Sequence, residues 1–346
     1  MYESNGDKYF IVDGHMHNWD ASPENTLNEY GEGFIKCFYD YHANLSPEEY
    51  VWPLEKYRKY GEETLMKDVF EDGYVDVAIF QPTYLTDFYK NGFNTTAQDA
   101  PLKEKYPDKF VLNTSFEPRL GKAGLDDFEA KVKKHGSKGV KLYTAEWHGE
   151  SKGWKLTDDD ARLYLDKCQE LGVTNIHVHK GPTIWPLNKD AFDVADVDAA
   201  ASEYPELNFI VEHVGLPRLE DFCWIGVQEP NVYGGLAVAM PFIHTRPTFF
   251  GKMMGELMYW LGEDRILFGS DYAIWHPKWL IEQFVAFEMP DDVPDEIGSL
   301  LTPEAKRKIL GLNAAKLYDL DVPEDMQGGD TDVGPEVTEK PAVAQV

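Results

Sequence analysis

One segment in the middle of the chain contains the unit from which the fold can be predicted. Within residues 139–178, a β-rich run, GVKL (139–142), is followed by an amphipathic stretch, TDDDARLYLDKCQEL (157–171), and by a second β-rich run, TNIHV (174–178). The amphipathic stretch begins with a threonine and three aspartates, which favour a helix N-terminus, and it is followed by Gly172, which favours a helix C-terminus. The order strand, helix, strand predicts two parallel strands joined by a crossover helix.

Runs of this kind alternate with amphipathic stretches over most of the 346 residues. The eight runs are Tyr9–Asp13, Val75–Phe80, Phe110–Ser115, Gly139–Leu142, Thr174–Val178, Asn208–Glu212, Val232–Ala237 and Arg265–Gly269. Eight strand–helix units in roughly 260 residues are typical of a (β/α)8 barrel. The sequence therefore predicts an α/β fold, a single-domain TIM barrel over residues 1–322. A doubly wound open sheet is the alternative, which the lack of a glycine-rich phosphate-binding loop disfavours.

Two segments depart from this alternation. Residues 18–72, between the first two runs, predict a helical insertion over the mouth of the barrel. Its aromatic side chains can belong to the core or to the wall of a substrate pocket. They are Trp19, Phe34, Phe38, Tyr41, Tyr50, Trp52, Tyr57 and Tyr60. Residues 323–346 are rich in glycine, proline and acidic residues without periodicity, which predicts a flexible acidic tail.

Charge and cysteine content narrow the class of function. The chain has 33 Lys and Arg against 61 Asp and Glu, a formal net charge of −28, and a surface this acidic repels phosphate backbones and anionic lipid. We therefore expect neither nucleic acid nor membrane as a partner, and no apolar run approaches the roughly 20 residues of a spanning helix. The N-terminus lacks the order of a secretory signal, and three cysteines without a CxxC pair favour a cytoplasmic location.

The strongest chemical signal is the stretch DGHMH (13–17), at the end of the first run. His15 and His17 are two residues apart, so both imidazoles project from the same face of a strand. In a barrel that face looks into the interior, at the C-terminal end of the strands, where barrel enzymes place their active sites. Two imidazoles from one strand can bind one metal ion.

Further residues of metal-binding type occur at the ends of three other runs. His177 and His179 close the fifth run, His213 follows the sixth, and Asp271 follows the eighth. The carboxyl ends of parallel strands meet at one end of a barrel. A buried acid at the end of an apolar strand is costly unless it is paired or metal-bound. The pattern therefore predicts a metal site built from four strands.

In this order, the motifs resemble those of the amidohydrolase superfamily, in its amidohydrolase-related branch. The resemblance is carried by DGHMH (13–17), GVKLY (139–143), VHKG (178–181), EHVG (212–215), RILFGSD (265–271) and the ending ILGLNAAKLY (309–318). It spans nearly the whole chain and implies a metal-dependent TIM-barrel enzyme. The branch contains hydrolases of amides and lactones, metal-dependent decarboxylases of aromatic or muconate-type acids, and hydratases, so the reaction stays open.

The resemblance implies a role for each residue. His15, His17, His179 and Asp271 would hold a divalent metal ion, most often zinc. His177 is two residues from His179 and therefore projects from the same face of the strand. It would either replace His179 as a ligand or lie deeper and orient a ligand. His213 would lie beside the metal as a ligand or as an acid/base. Asp271 would in addition take a proton during the reaction.

Lys141 and the identity of the metal stay open. In binuclear members a lysine on this strand is carboxylated and bridges two metals, whereas mononuclear members can carry an unmodified lysine in a similar context. A buried lysine paired with an acid is the third reading, and we expect one metal rather than two. Imidazole and carboxylate ligands suit Zn²⁺, Mn²⁺ or Fe²⁺ alike; we expect zinc, which lowers the pKa of its bound water to roughly 7.

Residues in the loops after the strands are expected to contact the substrate. Two of them are arginines that could clamp a carboxylate, and tryptophans that flank the mouth would suit a flat aromatic or apolar substrate. Each could equally make an ordinary structural contact. The set comprises Tyr84, Arg119, Tyr143, Trp147, His148, Arg246, Trp275 and His276.

These observations predict an enzyme that acts on a small molecule. The first interpretation is a metal-dependent hydrolase of an amide, lactone or ester bond in small-molecule catabolism, with Asp271 or His213 as the base. The alternative is a metal-dependent lyase, a decarboxylase or hydratase of an aromatic or unsaturated carboxylic acid, in which His213 protonates a ring carbon as CO₂ leaves. A second alternative is a non-catalytic metal-binding accessory protein. A homo-oligomer is left open.

Overall fold

The computed structural model describes residues 1–4 and 6–327, and its centre is a barrel of eight parallel strands. An antiparallel hairpin, β1 (Tyr2–Ser4) and β2 (Asp7–Tyr9), precedes the barrel. The barrel strands are β3 (Val12–Met16), β4 (Val77–Phe80), β5 (Phe110–Leu112), β6 (Gly139–Leu142), β7 (Asn175–His179), β8 (Asn208–Glu212), β9 (Val232–Gly235) and β10 (Ile266–Leu267).

Hydrogen bonding closes these strands into a ring. Strands β3 to β5 form one parallel sheet and strands β6 to β10 form another. A parallel bridge between Thr114 and Val140 joins β5 to β6, and one between Met16 and Tyr272 joins the segment after β10 to β3. The protein is therefore a single-domain α/β TIM barrel, which confirms the predicted fold.

The first strand differs from its predicted position. The sequence predicts it over residues 9–13, but Tyr9 pairs with Tyr2 in the hairpin and the barrel strand begins at Val12. The barrel strand instead contains most of the DGHMH motif (13–17). A backbone hydrogen bond holds this motif in the barrel: Gly14 N donates to the carbonyl of Phe268, directly after β10, at 3.0 Å. The pattern of apolar side chains gives no signal of this pairing, because the hydrogen bond joins two backbone groups.

Helices surround the barrel and cover its mouth. The predicted helical stretch 157–171 agrees with the observed helix Asp159–Leu171 to within two residues. The helices are α1 (Glu29–Leu45), α2 (Leu54–Arg58), α3 (Glu62–Met66), α4 (Thr96–Lys105), α5 (Leu125–His135), α6 (Asp159–Leu171), α7 (Asp196–Glu203), α8 (Leu219–Gln228), α9 (Phe242–Thr245), α10 (Pro247–Leu261), α11 (Pro277–Ala286), α12 (Asp295–Gly298), α13 (Pro303–Arg307) and α14 (Asn313–Tyr318).

The two ends of the barrel are closed differently. At the amino end, Ala314, Ala315 and Tyr318 of α14 pack against inward side chains such as Val12 and Ile210. This apolar plug buries the bottom of the barrel and stabilises it by removing hydrocarbon from water. The carboxyl end is covered instead by the insertion between β3 and β4.

The insertion is helical and packs on the mouth of the barrel. Tyr60 Oη donates to the carbonyl of His17 at 2.8 Å, and His42 Nδ1 donates to the carbonyl of Ile274 at 2.6 Å. Trp19 stacks on Phe93 with ring centroids 5.3 Å apart. The insertion is therefore fixed to the residues that carry the candidate metal ligands.

The predicted tail is described only over its first residues. Glu324–Met326 forms a 3₁₀ turn, and Lys8 Nζ lies 2.6 Å from Asp325 Oδ2. Residues 328–346 of the predicted tail lie outside the described residues. Within the described part of the chain, every helix is too short or too polar to cross a bilayer.

Candidate metal and active site

A compact group of buried side chains lies at the carboxyl end of the barrel. His15 Nε2 is 3.2 Å from His17 Nε2. Asp271 Oδ1 lies 3.1 Å from His17 Nε2 and 3.8 Å from His15 Nε2. Each residue offers one ligand atom, and the three atoms lie within 4.8 Å of one another. Three of the four predicted metal ligands therefore converge on one point.

In each of these two imidazoles, Nδ1 is the nitrogen that does not take part in the convergence, and it faces an oxygen atom. His15 Nδ1 lies 2.8 Å from Glu212 Oε2. His17 Nδ1 donates to Asn94 Oδ1 at 3.1 Å, and this amide is oriented because its Nδ2 donates to Asp99 Oδ2 at 2.9 Å. With the proton of each neutral ring on Nδ1, both Nε2 atoms present lone pairs to the same point.

This donor set fits a divalent metal ion. Two unprotonated imidazole nitrogens and a carboxylate oxygen repel one another unless a cation lies between them, and two nitrogens with one oxygen suit Zn²⁺, Mn²⁺ or Fe²⁺. Burial lowers the pKa of His15 to about 3, although the charges of Glu212 and Asp271 oppose this. The ring is therefore neutral, as metal binding requires. His15, His17 and Asp271 form a buried metal site.

The backbone brings the first and last strands to this point. Asp271 N donates to the carbonyl of His15 at 2.9 Å. A Cβ atom on Gly14 would lie 2.8 Å from the carbonyl oxygen of Phe268, so the close approach of the two chains requires glycine there. Asp271 has φ 57°, a left-handed conformation that Asp adopts more readily than most residues. The geometry of the site is thus fixed by the closure of the barrel.

Asp13 also links β3 to the segment that carries Asp271. Its carboxylate accepts from Ser270 N at 2.9 Å and from Ser270 Oγ at 2.5 Å. Burial raises the pKa of Asp13 to about 7. Asp13 therefore ties β3 to Ser270, the residue that precedes Asp271.

Two carboxylates stay ionised at the site although they are buried. Burial opposes the charge of Asp271, but positive charge on the surrounding imidazoles of His15, His17 and His213 outweighs it and holds its pKa below the usual range; a metal ion between neutral rings would act in the same direction. Burial likewise opposes the charge of Glu212, and its contacts with histidine hold its pKa well below the usual range. The metal site thus has one anionic ligand, Asp271, and a second anion, Glu212, next to its ligand His15.

His213 and His179 form a second imidazole pair beside this group. His213 Nδ1 donates to the carbonyl of Ala237 at 2.8 Å, and His179 Nε2 donates to the carbonyl of Pro182 at 3.1 Å. The remaining nitrogens, His213 Nε2 and His179 Nδ1, face each other at 2.9 Å. Since burial lowers the pKa of both rings, each is neutral and presents a lone pair. His179, the fourth predicted ligand, is outside the three-residue group but has a free lone pair.

Local backbone geometry places His213 at this position. His213 has φ 64° and the next residue, Val214, has φ 46°. Such conformations are costly for residues other than glycine and concentrate at functional sites. A Cβ atom on Gly181 would lie 2.6 Å from Cβ of His213, so the glycine of the VHKG motif makes room for this ring. Asp271 Oδ2 lies 3.9 Å from His213 Nδ1.

His177 lies deeper in the barrel than His179. Its Nδ1 donates to Glu212 Oε1 at 2.6 Å, and its Nε2 lies 2.7 Å from the hydroxyl of Tyr318 in α14. Both ring nitrogens are therefore occupied by protein atoms. Of the two predicted roles for His177, this geometry supports the orienting one, exerted through Glu212.

Lys141 is buried at the edge of the metal site. Its Nζ lies 3.0 Å from His15 Nε2. Burial lowers the pKa of Lys141 to about 8, against the opposing charges of Glu212 and Asp271. Lys141 is thus a cation in direct contact with a predicted metal ligand.

A narrow cavity of about 20 Å³ lies over the metal site, room for a single water molecule. Its wall is mostly aromatic and aliphatic, and among the described residues no arginine lines it. Two residues of the insertion, Phe38 and Tyr41, form part of this wall. The other lining residues are His15, His17, Thr83, Phe93, Lys141, Tyr143, His179, Pro182, Ile184, His213, Val238, Asp271, Ile274 and Trp275.

Of the predicted substrate contacts, the structure brings Tyr143 and Trp275 to this cavity. Arg119 instead forms a bidentate pair with Glu117, and Arg246 is exposed and lies over the ring of Phe249. The proposed arginine clamps therefore do not face the metal site. Three further residues lie elsewhere: Tyr84 and His148 line a separate cavity, and Trp147 packs on Tyr30.

His276 also points away from the cavity. Its Nδ1 accepts from Lys278 N at the start of α11, and its Nε2 lies 3.9 Å from Asp68. Burial lowers its pKa to about 4. The ring therefore caps a helix, a role that the sequence alone does not distinguish from substrate binding.

Sequence reasoning missed several residues that orient the ligands. Glu212 contacts both His15 and His177, and Asn94 fixes the tautomer of His17. An available signal for Glu212 is its position at the end of an apolar strand, directly before His213. No such signal exists for Asn94, because it lies in the loop after β4 and meets His17 only through the fold.

Comparisons with known proteins agree with this architecture. An uncharacterised TIM-barrel protein from Bordetella bronchiseptica superposes with a TM-score of 0.65 at 17% identity, covering 89% of this chain and 98% of the other. A 2,6-dihydroxybenzoate decarboxylase in complex with 2,6-dihydroxybenzoate superposes with a TM-score of 0.59 at 16% identity, covering 90% and 100%. At these identities the similarity establishes the fold alone.

A third similar structure is a 5-carboxyvanillate decarboxylase from Novosphingobium aromaticivorans with bound manganese. It has a TM-score of 0.56 at 15% identity, covering 90% of this chain and 97% of the other. No curated protein sequence matches this one with significance. The family model described as amidohydrolase matches residues 12–320, which include every strand of the barrel and the whole metal site. The chain therefore belongs to the amidohydrolase family.

Proposed function

We propose that this protein is a metal-dependent lyase that removes CO₂ from a small aromatic carboxylic acid. The observation that carries the proposal is the wall of the cavity over the metal site. It is built from aromatic and aliphatic side chains, with charged groups confined to its floor. Such a site favours a flat apolar ring whose carboxylate points at the floor.

The similar structures support this reaction over hydrolysis. Two of those described above are decarboxylases of aromatic acids, and one of them contains manganese with a substituted benzoic acid. The hydrolase interpretation, placed first by the sequence, has no comparable support among them. We accordingly propose Mn²⁺ or Zn²⁺ as the metal, held by His15, His17 and Asp271 with His179 as a further ligand.

The floor of the cavity is suited to hold a carboxylate. A bound divalent ion would supply positive charge there and polarise the oxygens of the substrate. Lys141 adds a second positive charge, 3.0 Å from His15 Nε2. The hydrophobic wall excludes water, which strengthens both attractions.

His213 is the group that we assign to hold the proton. During decarboxylation the bond between the ring carbon and the carboxylate breaks, its electron pair stays on the ring carbon, and that carbon takes one proton as CO₂ leaves. His213 Nδ1 is fixed by the carbonyl of Ala237, so Nε2 of the neutral ring would first take one proton from solvent water and then give it to the ring carbon. Asp271 Oδ2, 3.9 Å from Nδ1, stabilises the imidazolium form.

A product assay tests the proposal. The protein is loaded with Mn²⁺ or Zn²⁺ and incubated with benzoic acids that carry hydroxyl, methoxy or second carboxyl groups, and in parallel with lactones, esters and amides. We expect CO₂ release from at least one acid and no acid release from the second panel. Acid release without CO₂ from any member would overturn the lyase and restore the hydrolase. A His15→Asn variant serves as the metal-deficient control.

A further inference from the structure

Two residues that line the cavity over the metal site each carry a buried hydrogen-bond donor without a partner among the described residues. The donors are the hydroxyl of Tyr143, a residue 5% exposed, and the indole N–H of Trp275, a residue 1% exposed. Both residues line the cavity. Most buried donors in folded proteins are paired, because an unpaired one loses its bonds to water without compensation. Unpaired donors in a binding cavity therefore indicate acceptors on the ligand.

Packing holds the side chain of Tyr143, and a backbone turn precedes Trp275. The ring of Tyr143 packs edge-on against His179 at 4.7 Å and against Phe192 at 5.1 Å between centroids. Trp275 follows a turn in which Ile274 N donates to the carbonyl of Asp271 at 2.7 Å. The ring of Tyr143 is thus held by its neighbours, and the backbone just before Trp275 is held by the turn at Asp271.

The two donors belong to opposite sides of the barrel. Tyr143 directly follows β6, the fourth barrel strand, whereas Trp275 follows β10, the eighth. In a closed ring of eight strands, the fourth and the eighth lie half a turn apart. A ligand between them would have a donor-bearing residue on either side.

We infer that Tyr143 and Trp275 select a ring acid that carries oxygen acceptors on two sides of the ring. The tryptophan N–H can only donate, so its partner is an acceptor such as a hydroxyl, methoxy, nitro or carboxylate oxygen. Tyr143 gives its hydroxyl proton to a second acceptor across the ring. This inference rests on the proposed function for its ligand class and extends it to the substituents.

Entry of such a ring requires the cover of the cavity to move. The space described holds one water, and its outer wall includes Phe38 and Tyr41 of α1. Tyr143 and Trp275 come from loops of the barrel itself. Movement of α1 would break the hydrogen bond from His42 Nδ1 to the carbonyl of Ile274, the residue before Trp275, but neither donor belongs to α1.

Paired ligands that differ only in two hydrogen-bond acceptors test the inference. Affinities for the Mn²⁺-loaded protein are measured by calorimetry with 3,5-dimethoxybenzoate against 3,5-diethylbenzoate, and with 2,6-dimethoxybenzoate against 2,6-diethylbenzoate. The ethyl compounds keep the size and lose the acceptors. We expect the dimethoxy compound of at least one pair to bind roughly tenfold tighter or more. Tyr143→Phe and Trp275→Phe should each reduce this ratio several-fold.

Trp279→Phe is the matched control. Its indole N–H is also buried and unpaired among the described residues, but Trp279 does not line the cavity. The dimethoxy-to-diethyl ratio should be unchanged in this variant. Equal affinities for both members of both pairs, or a ratio that neither Tyr143→Phe nor Trp275→Phe alters, would overturn the inference.

A second measurement needs no variant in case Trp275→Phe fails to fold. In the wild-type protein labelled with ¹⁵N, one indole N–H resonance should move downfield with a dimethoxy ligand and not with its diethyl analogue; no such difference would contradict the inference. CO₂ release is assayed on the same preparation. Selective binding without CO₂ release would overturn the proposed decarboxylation and support the inference about Tyr143 and Trp275. CO₂ release without selective binding would support decarboxylation and overturn that inference.

Discussion

Two strands of the barrel carry the same motif and use it differently. His15-Met16-His17 ends β3, and His177-Val178-His179 ends β7. On β3 the two Nε2 atoms converge to 3.2 Å and point at one metal site. On β7 the rings part: His177 is held inside the barrel by Glu212 and a tyrosine, and His179 lies at the mouth beside His213.

The protein atoms that face the ring nitrogens explain why the two motifs differ. On β3 each Nδ1 faces an oxygen atom, Glu212 Oε2 or Asn94 Oδ1, so each Nε2 is turned toward the metal site. On β7 both nitrogens of His177 already face protein atoms, Glu212 Oε1 and Tyr318 Oη. Glu212 also connects the two motifs, since one carboxylate oxygen holds His15 and the other holds His177. Spacing in the sequence thus predicts which face a ring occupies, and its hydrogen-bond partners decide what the ring can do.

The largest effect is expected from His15→Asn. This change removes one of the converging nitrogens, so metal and activity should be lost together. The matched change on the other motif, His177→Asn, should leave most of the metal bound. Metal content of the purified proteins, measured by mass spectrometry, compares the two. A metal-free His177→Asn protein with a metal-loaded His15→Asn protein would reverse the assignment of the motifs.

His213→Asn should separate metal binding from turnover. The asparagine can keep a hydrogen bond to the carbonyl of Ala237 but cannot hold a proton, so we expect turnover to fall by about 10²–10⁴ while most of the metal stays bound. Single-turnover kinetics and metal analysis on one preparation check this. If the variant is purified without metal, His213 is a primary ligand and not the proton carrier.

Glu212→Gln tests the residue that joins the two motifs. The glutamine keeps the size of the side chain but loses the charge that fixes the tautomer of His15, and such changes typically weaken metal binding by about 10–100-fold. Competition with a chelator measures the affinity. Glu220→Gln, an exposed acid on α8, is the control and should not change it. An unaltered affinity in Glu212→Gln would show that His15 needs no anchor.

The smallest effect is expected from Tyr318→Phe. It leaves His177 Nε2 without its partner at the bottom of the barrel, a loss of roughly 1–3 kcal/mol in the free energy of unfolding. Metal content should not change, because Tyr318 reaches the metal site only through two other residues. Urea unfolding of the metal-free protein measures the first quantity. Loss of metal in this variant would mean that His177 supports the site more directly than its position indicates.

The sequence by itself determined the barrel and the end at which chemistry takes place. Strand-helix alternation predicted eight parallel strands, and parallel strands in a barrel all end on the same side, so His15, His17 and Asp271 had to lie near one another. That argument needs no side-chain detail. The first strand was placed a few residues too early because Tyr9 pairs in a hairpin that its apolar pattern does not reveal.

Only the tertiary structure decided which of the chemically plausible residues face the site. Arg119 and Trp275 looked equally suitable in the sequence, yet Arg119 is neutralised by Glu117 two residues away, whereas Trp275 lines the cavity. Asn94 and Glu212 orient the histidines from other strands and loops. Such contacts depend on the depth of a side chain in the barrel and on the direction in which it points, and both are set by packing between segments far apart in the chain.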